Sequence, residues 1–324
     1  MRNPARTIGR LALVPVWCVV LGLLVVAVGR MVAFDRHRVF MLVDSYTLWL
    51  YLPAYPIAVS GALHRARVLT LAASVVIVFH LAWVLPPIFH MVDVPAAAVR
   101  APHVRVVSAN LNFDNGDHAP LLAELADDHA DVVFLQEVTP AWWQAIEHSS
   151  LAATYPNHIE DPRDDPGGQA ILSRRPLTDV VIHDADGWPI ITAAMRVGGE
   201  TVHLADVHLV APLDTFARNQ RQQRAITGIA RTLLRPRLVV GDFNASPYNR
   251  WFGQLRGLGL EEAHESVGRS WATTWPNGQH HFPPLRLDHV FVDPRIVPLA
   301  AAEGRGQGSD HRPIVIDLAV LQAG

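Results

Sequence analysis

The stretch Leu238-Val239-Val240-Gly241-Asp242-Phe243-Asn244 is an apolar run that ends at Gly-Asp-x-Asn. A short apolar run of this kind is typical of a buried strand, and ligand sites lie at the carboxyl ends of such strands. Asp242 and Asn244 are two residues apart, a spacing that points both side chains to one face. We expect them to converge on a small anionic or water-like ligand, although a plain strand-ending turn has the same pattern.

The surrounding sequence repeats this feature at other strand ends. From residue 104 onward, short strand patterns alternate with helical stretches, which predicts a layered α/β or α+β domain with both sheet faces covered. Polar residues stand at the ends of the apolar runs: Asn110, Asn112, Glu137, Asp206, His208, Asp242, Asn244, Asp288, His289, Asp310 and His311. Each alone is typical of a cap or a solvated turn, but their joint occurrence indicates a shared site.

The residue types in this set indicate a hard divalent cation and acid–base chemistry. Carboxylate and carboxamide oxygens suit Mg²⁺ or Mn²⁺. Zinc is less favoured, because the only cysteine, Cys18, lies in an apolar run and no His-x-x-x-His pair lies on a predicted helix. Histidines among acids can take part in proton transfer near neutral pH.

The amino-terminal third differs in composition from the rest of the chain. Residues 1–99 contain eight arginines and three acids, a net charge of +5, whereas residues 100–324 contain nineteen arginines and twenty-seven acids, a net charge of −8. Apolar runs cover about 11–29, 39–63 and 68–88, each long enough to span a bilayer core at roughly 1.5 Å per residue. These runs predict three transmembrane helices, of which the second is kinked or interrupted by Pro53 and Pro56.

The arginine distribution predicts an orientation in the membrane. Arg2, Arg6 and Arg10 precede the first run and two further arginines separate the second and third, against three arginines in the first loop. This bias favours a cytoplasmic amino terminus, and three spans would then place the following domain outside the cytoplasm. We expect a transmembrane region at 1–92, a linker at 93–102 and a catalytic domain at 103–324.

The ordered motifs resemble those of the endonuclease/exonuclease/phosphatase superfamily over residues 103 to 320, and with the amino-terminal spans they look like its membrane-attached bacterial members. The motifs are Asn110-Leu111-Asn112, Phe134-Leu135-Gln136-Glu137, Gly168-Gln169-Ala170-Ile171-Leu172-Ser173-Arg174, His208-Leu209-Val210-Ala211-Pro212, Gly241-Asp242-Phe243-Asn244, Leu287-Asp288-His289 and Gly308-Ser309-Asp310-His311-Arg312-Pro313. The resemblance implies a four-layer α/β sandwich, two β-sheets between helices, with the site at one edge.

The resemblance also implies roles for individual residues. Glu137 corresponds to the metal-binding glutamate, with Asn110 beside it and Asp310 as a further ligand. His311 corresponds to the catalytic histidine and Asp288 to the carboxylate that orients it. The remaining matches are Asp242 and Asn244, which position the attacking water and hold a phosphate oxygen, and His208, which stabilises the transition-state charge or protonates the leaving oxygen.

The substrate is less defined, and three functions stay open. The first is a membrane-anchored, metal-dependent phosphodiesterase acting on a lipid or a nucleic acid, with the bilayer and the phosphoester substrate as its partners. The second is a phosphomonoesterase of phosphoinositide type, and the third is a tethered domain that binds without catalysis. The net charge of −8 argues against strong non-specific DNA binding.

Overall fold

The structure is a computed structural model that describes residues 4–213, 215–278 and 283–322, with side chains from residue 13 onward. Arg2, which contributes to the orientation prediction, lies outside the described residues, as do the side chains of Arg6 and Arg10. The chain divides into two compact units, Met1–Pro87 with Pro247–Arg250, and Ile88–Ser246 with Trp251–Gly324. The predicted boundaries of the transmembrane region, linker and catalytic domain stay predictions.

The first unit is helical. Its elements are α1 (Pro4–Val32), a 3₁₀ turn (Phe34–Arg36), α2 (Arg38–Ser45), α3 (Thr47–Leu50), α4 (Ala54–Leu63) and α5 (Arg67–Phe89). Within the described residues, two helical segments are long and apolar enough to cross a membrane, Leu13–Val32 and Arg67–Phe89. A signal sequence or a buried core helix can meet the same criteria of length and composition.

The prediction of three transmembrane helices is therefore wrong in its second member. The run at 39–63 is not one helix but the three short helices α2, α3 and α4. The chain leaves helical geometry at Tyr46, and α4 begins after Pro53, which has no backbone N–H to continue a preceding helix. Each piece is too short to span a bilayer core.

The second unit contains the remaining elements. Its helices are α6 (Ala96–Arg100), α7 (Ala119–Asp127), α8 (Pro140–Glu147), α9 (Ser150–Thr154), α10 (Phe216–Thr232), α11 (Arg250–Arg256) and α12 (Ala263–Ser266). Its strands are β1 (His103–Asn110), β2 (Val132–Gln136), β3 (Asn157–Asp161), β4 (Gln169–Ser173), β5 (Leu177–Ala185), β6 (Trp188–Val197), β7 (Glu200–His208), β8 (Arg237–Asp242), β9 (Glu261–Glu262), β10 (Asp288–Val292), β11 (Ile296–Glu303) and β12 (Ile314–Val320).

The strands form two mixed sheets. One has the order β11-β12-β1-β2-β4-β3 and the other β5-β6-β7-β8-β10-β9. The pairs β1–β2 and β7–β8 are parallel, and the other pairs are antiparallel. The two parallel pairs therefore bring four carboxyl strand ends to neighbouring positions, which is where the sequence predicts the site.

Alternation along the strands builds a layered sandwich. Val104 and Val106 of β1 and Leu238 and Val240 of β8 lie in one apolar cluster between the sheets. Val107 and Ala109, on the opposite face of β1, pack with α7, α8 and α9, and Val239 of β8 packs with α10 and α11. This gives helices, sheet, sheet and helices, so the predicted sandwich of two sheets flanked by helices is present.

Gly241 shows why the opening motif requires glycine. Its φ is +140°, and a Cβ there would lie 2.0 Å from the backbone oxygen of Val207 on the neighbouring strand. No other residue fits this close approach without moving β7. Gly241 thus lets the last residue of β8, Asp242, pair in register with His208.

We expect Thr139→Ala to destabilise the second unit by about 1 kcal/mol. Thr139 is the N-cap of α8, and its hydroxyl accepts a hydrogen bond from the backbone N–H of Trp142 at 3.1 Å. Urea unfolding in detergent micelles, followed by near-UV circular dichroism, measures the change. Thr232→Ala is the control, because Thr232 is exposed at the end of α10 and its hydroxyl bonds only within that helix. An equal loss in both variants would contradict the capping role.

Candidate active site

The predicted site residues lie where the inward faces of both sheets change from apolar to polar. Asn110, His208, Asp242 and Asp288 continue the alternation that faces the space between the sheets, each at the last or first residue of its strand. All four are buried. The site therefore occupies one end of the sandwich.

Strand register explains why residues distant in sequence meet there. His208 pairs with Asp242 across the parallel strands β7 and β8, and Asp288 pairs with Asp242 across the antiparallel strands β8 and β10. In the other sheet Asn110 pairs with Gln136, which places Glu137 immediately beyond the same edge. The pairing of β7, β8 and β10 thus brings His208, Asp242 and Asp288 together in one sheet. In the other sheet, the pairing of β1 and β2 brings Asn110 close to Glu137.

His311 lies between two carboxylates of the second sheet. Its Nδ1 is 2.8 Å from Oδ2 of Asp288, and its Nε2 is 3.7 Å from Oδ2 of Asp242. The Asp288 contact fixes the ring and leaves Nε2 directed towards Asp242. This geometry supports the predicted role of Asp288 in orienting His311, and the role itself stays a prediction.

Asn110 joins the two halves of the site. Its Nδ2 donates to Oε1 of Glu137 at 2.9 Å and to Oδ2 of Asp242 at 3.1 Å, so it connects the two sheets. Nε2 of His208 lies 3.9 Å from Oε1 of Glu137 and 3.7 Å from Oδ2 of Asp242. Glu137, Asp242, His208 and His311 therefore surround one small volume.

Asn244 turns back onto the strand end that it follows. Its backbone N–H donates to Oδ1 of Asp242 at 2.8 Å, and its Nδ2 donates to the backbone oxygen of Leu209 at 2.7 Å. These contacts fix the Asp242 carboxylate and tie the end of β8 to the end of β7. The two side chains lie close together, with Nδ2 of Asn244 3.4 Å from Oδ2 of Asp242, because the chain turns after β8, and their convergence on a ligand stays a prediction.

Three site residues adopt left-handed backbone conformations directly after strands. The φ angles are +59° at Asn112, +59° at Glu137 and +43° at Asn244. Asparagine tolerates this region, whereas glutamate there stores strain of order 1–3 kcal/mol. Glu137 is held by hydrogen bonds from Asn110 and from the backbone N–H of Phe113, the latter at 2.8 Å. A non-glycine residue kept in this conformation is typical of a functional position.

Burial and neighbouring charges shift the pKa values in opposite directions. Burial raises the pKa of Asp242 to about 6, against the opposing effect of His311. Burial lowers the pKa of His311, but Asp288 and Asp242 outweigh it and raise the pKa to about 10. Burial also raises the pKa of Glu137 and lowers that of His208. A charged imidazole thus stands beside a carboxyl group that titrates near neutral pH.

Two sets of residues could hold a cation. Among the described residues, Asp242, Asp288 and His311 have ligand atoms within 4.8 Å of one another. However, Nδ1 of His311 already contacts Asp288, which suits proton transfer better than ligation. The predicted set of Glu137, Asn110 and Asp310 offers only hard oxygen ligands, which fit Mg²⁺ or Mn²⁺.

Asp310 is the outermost of the predicted ligands. Its Oδ2 accepts a hydrogen bond from Nε1 of Trp275 at 3.2 Å, and its charge acts to raise the pKa values of both Glu137 and His311. Its carboxylate is thus close enough to influence both groups electrostatically. It is outside the tight group formed by Asp242, Asp288 and His311.

Sequence reasoning missed several supporting residues. The hydroxyl of Ser309 donates to the backbone oxygen of Asn110 at 2.7 Å and accepts from the N–H of His311 at 3.0 Å. The hydroxyl of Thr274 accepts from the N–H of Asp288 at 3.3 Å. The ring of Trp188 packs against His208 with centroids 4.7 Å apart. Ser309 lies within a quoted motif, but no sequence signal marks Thr274 or Trp188.

Two polar strand-end residues lie outside the site. Asp206 is fully buried one layer below it, where its Oδ1 accepts a hydrogen bond from Nε2 of Gln136 at 2.7 Å across the two sheets. His289 points to the other side of β10, against Phe243, Phe252 and Glu262. Neither residue contacts the cluster around Asp242.

Comparisons with known proteins agree with this geometry. A family model described as the endonuclease/exonuclease/phosphatase family matches residues 107–311, more than half of the chain. No curated protein matches the sequence. Many solved structures are similar in fold, including humanized TDP2 and two bacterial proteins. Humanized TDP2 of D. rerio has a TM-score of 0.59 and 21% identity over 67% of this chain and 99% of that one.

The other two structures are bacterial. An endonuclease/exonuclease/phosphatase from Beutenbergia cavernae has a TM-score of 0.54 and 19% identity over 68% of this chain and 72% of that one. The 3′-5′ exonuclease NExo from Neisseria meningitidis has a TM-score of 0.54 and 22% identity over 67% of this chain and 100% of that one. The chain belongs to the endonuclease/exonuclease/phosphatase family and is an enzyme that hydrolyses phosphoester bonds.

Proposed function

We propose that the chain is a membrane-anchored, divalent-metal-dependent phosphodiesterase. The observation that carries the proposal is the convergence of the Asp288–His311 pair and the Asn110–Glu137 pair on Asp242. Phosphodiester cleavage needs an in-line nucleophile, neutralisation of the non-bridging oxygens and help for the leaving group. The cluster contains a candidate residue for each of these tasks.

Glu137, Asn110 and Asp310 would hold the cation, Mg²⁺ or Mn²⁺. Oδ1 of Asn110 accepts one hydrogen bond, from the N–H of Asn112 at 2.9 Å, and a carbonyl oxygen has a second lone pair for ligation. The bound ion would neutralise charge on the non-bridging phosphate oxygens. Some members of the family have Asp where Asn112 stands in this chain, so we assign one cation and leave a second one unassigned.

Asp242, Asn244, His208 and His311 would manage the proton and the phosphate. Asp242, with a pKa near 6, is suited to accept a proton from the attacking water. Asn244 holds the carboxylate of Asp242 in place through its backbone N–H, and its side chain would support a phosphate oxygen. His311, fixed by Asp288, would donate from Nε2 to the phosphate. His208, whose Nε2 lies 3.9 Å from Glu137 and 3.7 Å from Asp242, would stabilise the charge on the leaving oxygen.

The substrate is most consistent with a nucleic-acid phosphodiester. A structure similar in fold to this chain, TDP2 of D. rerio with 22% identity and a TM-score of 0.58, is a complex with a single-strand DNA product. A lipid phosphodiester has membrane attachment as its only support. The net charge of −8 outside the amino-terminal third predicts weak binding that depends on local contacts rather than on a broad basic surface.

The test uses the full chain in detergent with bis-p-nitrophenyl phosphate and p-nitrophenyl phosphate, each with Mg²⁺, Mn²⁺ or EDTA. We expect faster hydrolysis of the diester, loss of activity in EDTA, and recovery when either metal is restored. Preference for the monoester would instead identify a phosphomonoesterase. Hydrolysis that persists unchanged in EDTA after exhaustive dialysis would exclude metal dependence.

Membrane anchoring rests on the apolar surface of α1 and α5. The most apolar 18-residue stretch of each helix is only 22% buried in α1 and 28% buried in α5. Val32 of α1 is 74% exposed, and Val68 and Leu71 of α5 are 71% and 66% exposed. Many exposed apolar side chains on helices of this length indicate a membrane or protein contact. Alkaline carbonate extraction of cell membranes should leave the chain in the pellet, whereas release into the supernatant would contradict anchoring. Protease accessibility in intact cells tests the predicted extracytoplasmic position of the catalytic domain.

A further inference from the structure

A pocket of about 390 Å³ lies beside the candidate active site. Its lining includes Asn112, Asn277, Arg305, Gln307, Ser309 and Asp310. The volume is at the lower end of the range for small-molecule sites. Since Asp310 is a candidate metal ligand and precedes His311, a substrate at the metal would extend one neighbouring group into this pocket.

The loop that carries Arg305 forms one wall of the pocket, and a carboxylate holds this loop from one side. Glu124 of α7 accepts hydrogen bonds from consecutive backbone N–H groups, those of Arg305, of Gly306 at 3.3 Å and of Gln307 at 3.4 Å. A carboxylate that accepts several backbone donors holds a turn firmly. The backbone under Arg305 is therefore fixed before any ligand binds.

The same wall is anchored from the other side by a carboxamide. Nδ2 of Asn277 donates to the backbone oxygens of Arg305 at 2.8 Å, Gly306 at 2.8 Å and Ser309 at 3.0 Å. The backbone N–H of Asn277 also donates to the oxygen of Asp310 at 2.7 Å. Two side chains from separate elements thus hold the loop in a single conformation, which lowers the cost of ordering it on binding.

The pocket is continuous with the catalytic loop. Gly306 has φ +61°, and a Cβ there would lie 2.1 Å from the backbone oxygen of His311. The wall therefore rests directly on the backbone of His311. A group bound in the pocket and a phosphate at His311 would belong to one substrate molecule.

The chemistry of the lining selects a polar, anionic group. Among the described lining residues the charged side chains are Arg305 and Asp310, and the others are amides, a hydroxyl and glycines. Apolar side chains are absent from this described lining, so an acyl chain would gain little there. Arg305 is exposed, and no carboxylate in the described part of the chain forms an ion pair with its guanidinium. Guanidinium groups bind phosphate through paired hydrogen bonds.

We propose that this pocket binds a second phosphate of the substrate, one linkage from the scissile phosphate, and that Arg305 is the residue that selects it. The proposal rests on the proposed phosphodiesterase function and deepens it. It makes the preferred substrate a diester with a neighbouring phosphate, as in a polynucleotide, rather than an isolated diester.

The test compares the dinucleoside monophosphate TpT with pTpT and TpTp, which add one terminal phosphate on either side of the same diester. For the full-length wild type we expect kcat/KM for one of the phosphorylated forms to exceed that for TpT by about tenfold, the order of one charge-assisted contact. In Arg305→Gln this ratio should fall to near one. Arg224→Gln, which removes an exposed charge on α10, should keep the wild-type ratio.

Each outcome separates the two proposals. If the wild type hydrolyses TpT but the ratio is near one, or if Arg305→Gln keeps the wild-type ratio, the second-phosphate site is wrong and the phosphodiesterase stands. If the wild type hydrolyses neither dinucleotides nor bis-p-nitrophenyl phosphate under any metal, the proposed function itself is wrong. If the kcat/KM ratio falls equally in both arginine variants, the effect comes from the net charge of the protein, and the role proposed for Arg305 is wrong.

Discussion

His311→Ala is expected to lower turnover by roughly a hundredfold or more, the usual cost of removing one preorganised donor to the charge that develops in the transition state. The imidazole is held 2.8 Å from Asp288 and its Nε2 is 3.7 Å from Asp242, so no other side chain of the cluster can take its place at that position. The measurement is the steady-state rate on bis-p-nitrophenyl phosphate at saturating metal. The loss should appear in kcat, because the contact strengthens as charge develops on the phosphate.

Two further variants distinguish chemistry from folding. His158→Ala removes an exposed imidazole on the edge strand β3 and should leave the rate unchanged. Asp288→Asn keeps the shape of the orienting side chain but removes its charge, and so should give an intermediate loss. A rate near that of the wild type in a folded His311→Ala protein would remove His311 from the mechanism.

The location of this site was predictable because it follows from strand order. Asp242 and Asn244 end an apolar run, and Asn110, Glu137 and His208 do the same on other strands, so their convergence needed parallel pairing within each sheet and the stacking of the two sheets. Asp288 begins a strand instead of ending one, and it reaches the site because β10 runs antiparallel to β8. Polar residues at the last or first position of an apolar strand therefore indicated where the site lies.

Other features depend on contacts that no local pattern encodes. The left-handed conformation of Glu137 is maintained by Asn110 and Phe113, and the loop before Asp310 by Glu124, which is distant in sequence. Strands β3, β5, β6, β9 and β11 were also not predicted. Of these, β5 exposes Val180, Val181 and Ile182 at a sheet edge, so it lacks a clear buried face.

The interrupted second apolar run shows a limit of hydropathy. Length and composition over 39–63 satisfy the requirement for a span, yet the backbone breaks twice within it. Asp44 of α2 forms a buried ion pair with Arg30 at 3.3 Å, which favours polar packing among short helices. Hydropathy averaged along the sequence detects neither the two helix breaks nor the buried ion pair.

A buried ionic cluster around Glu262 provides the second large prediction. The carboxylate of Glu262 is fully buried and faces Arg286 at 3.2 Å, His264 at 3.2 Å and His289 at 3.4 Å. Arg286 is also 3.5 Å from Glu265, and it precedes Asp288 by two residues. The Glu262 cluster therefore supports the strand that carries part of the site.

Arg286→Met is expected to destabilise the second unit by about 3–5 kcal/mol. The substitution leaves Glu262 buried beside two histidines and without its main cation, and a poorly compensated buried charge is far more costly than the loss of an exposed pair. Urea unfolding of the full chain in detergent, followed by near-UV circular dichroism, gives the difference. Arg295→Met is the matched control, since the ion pair of Arg295 with Glu200 is partly exposed and should contribute less than about 1 kcal/mol.

The loss in Arg286→Met should depend on pH in a defined direction. Burial raises the pKa of Glu262, but Arg286 and the hydrogen bonds from His264 and His289 outweigh it and hold the pKa well below its usual range. In the wild type this carboxylate thus contributes stability that is complete above its ordinary pKa and is lost only as the pH falls through the lowered value. Without Arg286 the pKa rises and Glu262 takes up a proton on mild acidification. The difference between wild type and variant should therefore be largest near pH 7.5 and smaller at pH 5.

The double variant Glu262→Gln with Arg286→Met separates a charge effect from a packing effect. If the cost of Arg286→Met comes from the charge left on Glu262, neutralising that residue as well should recover much of the lost stability, because replacing both partners of a buried pair is much less costly than removing one. The double variant should also lose the pH dependence. Additive losses, with no difference between pH 7.5 and pH 5, would show instead that Arg286 acts through its packed side chain and its hydrogen bond to the backbone oxygen of Arg269.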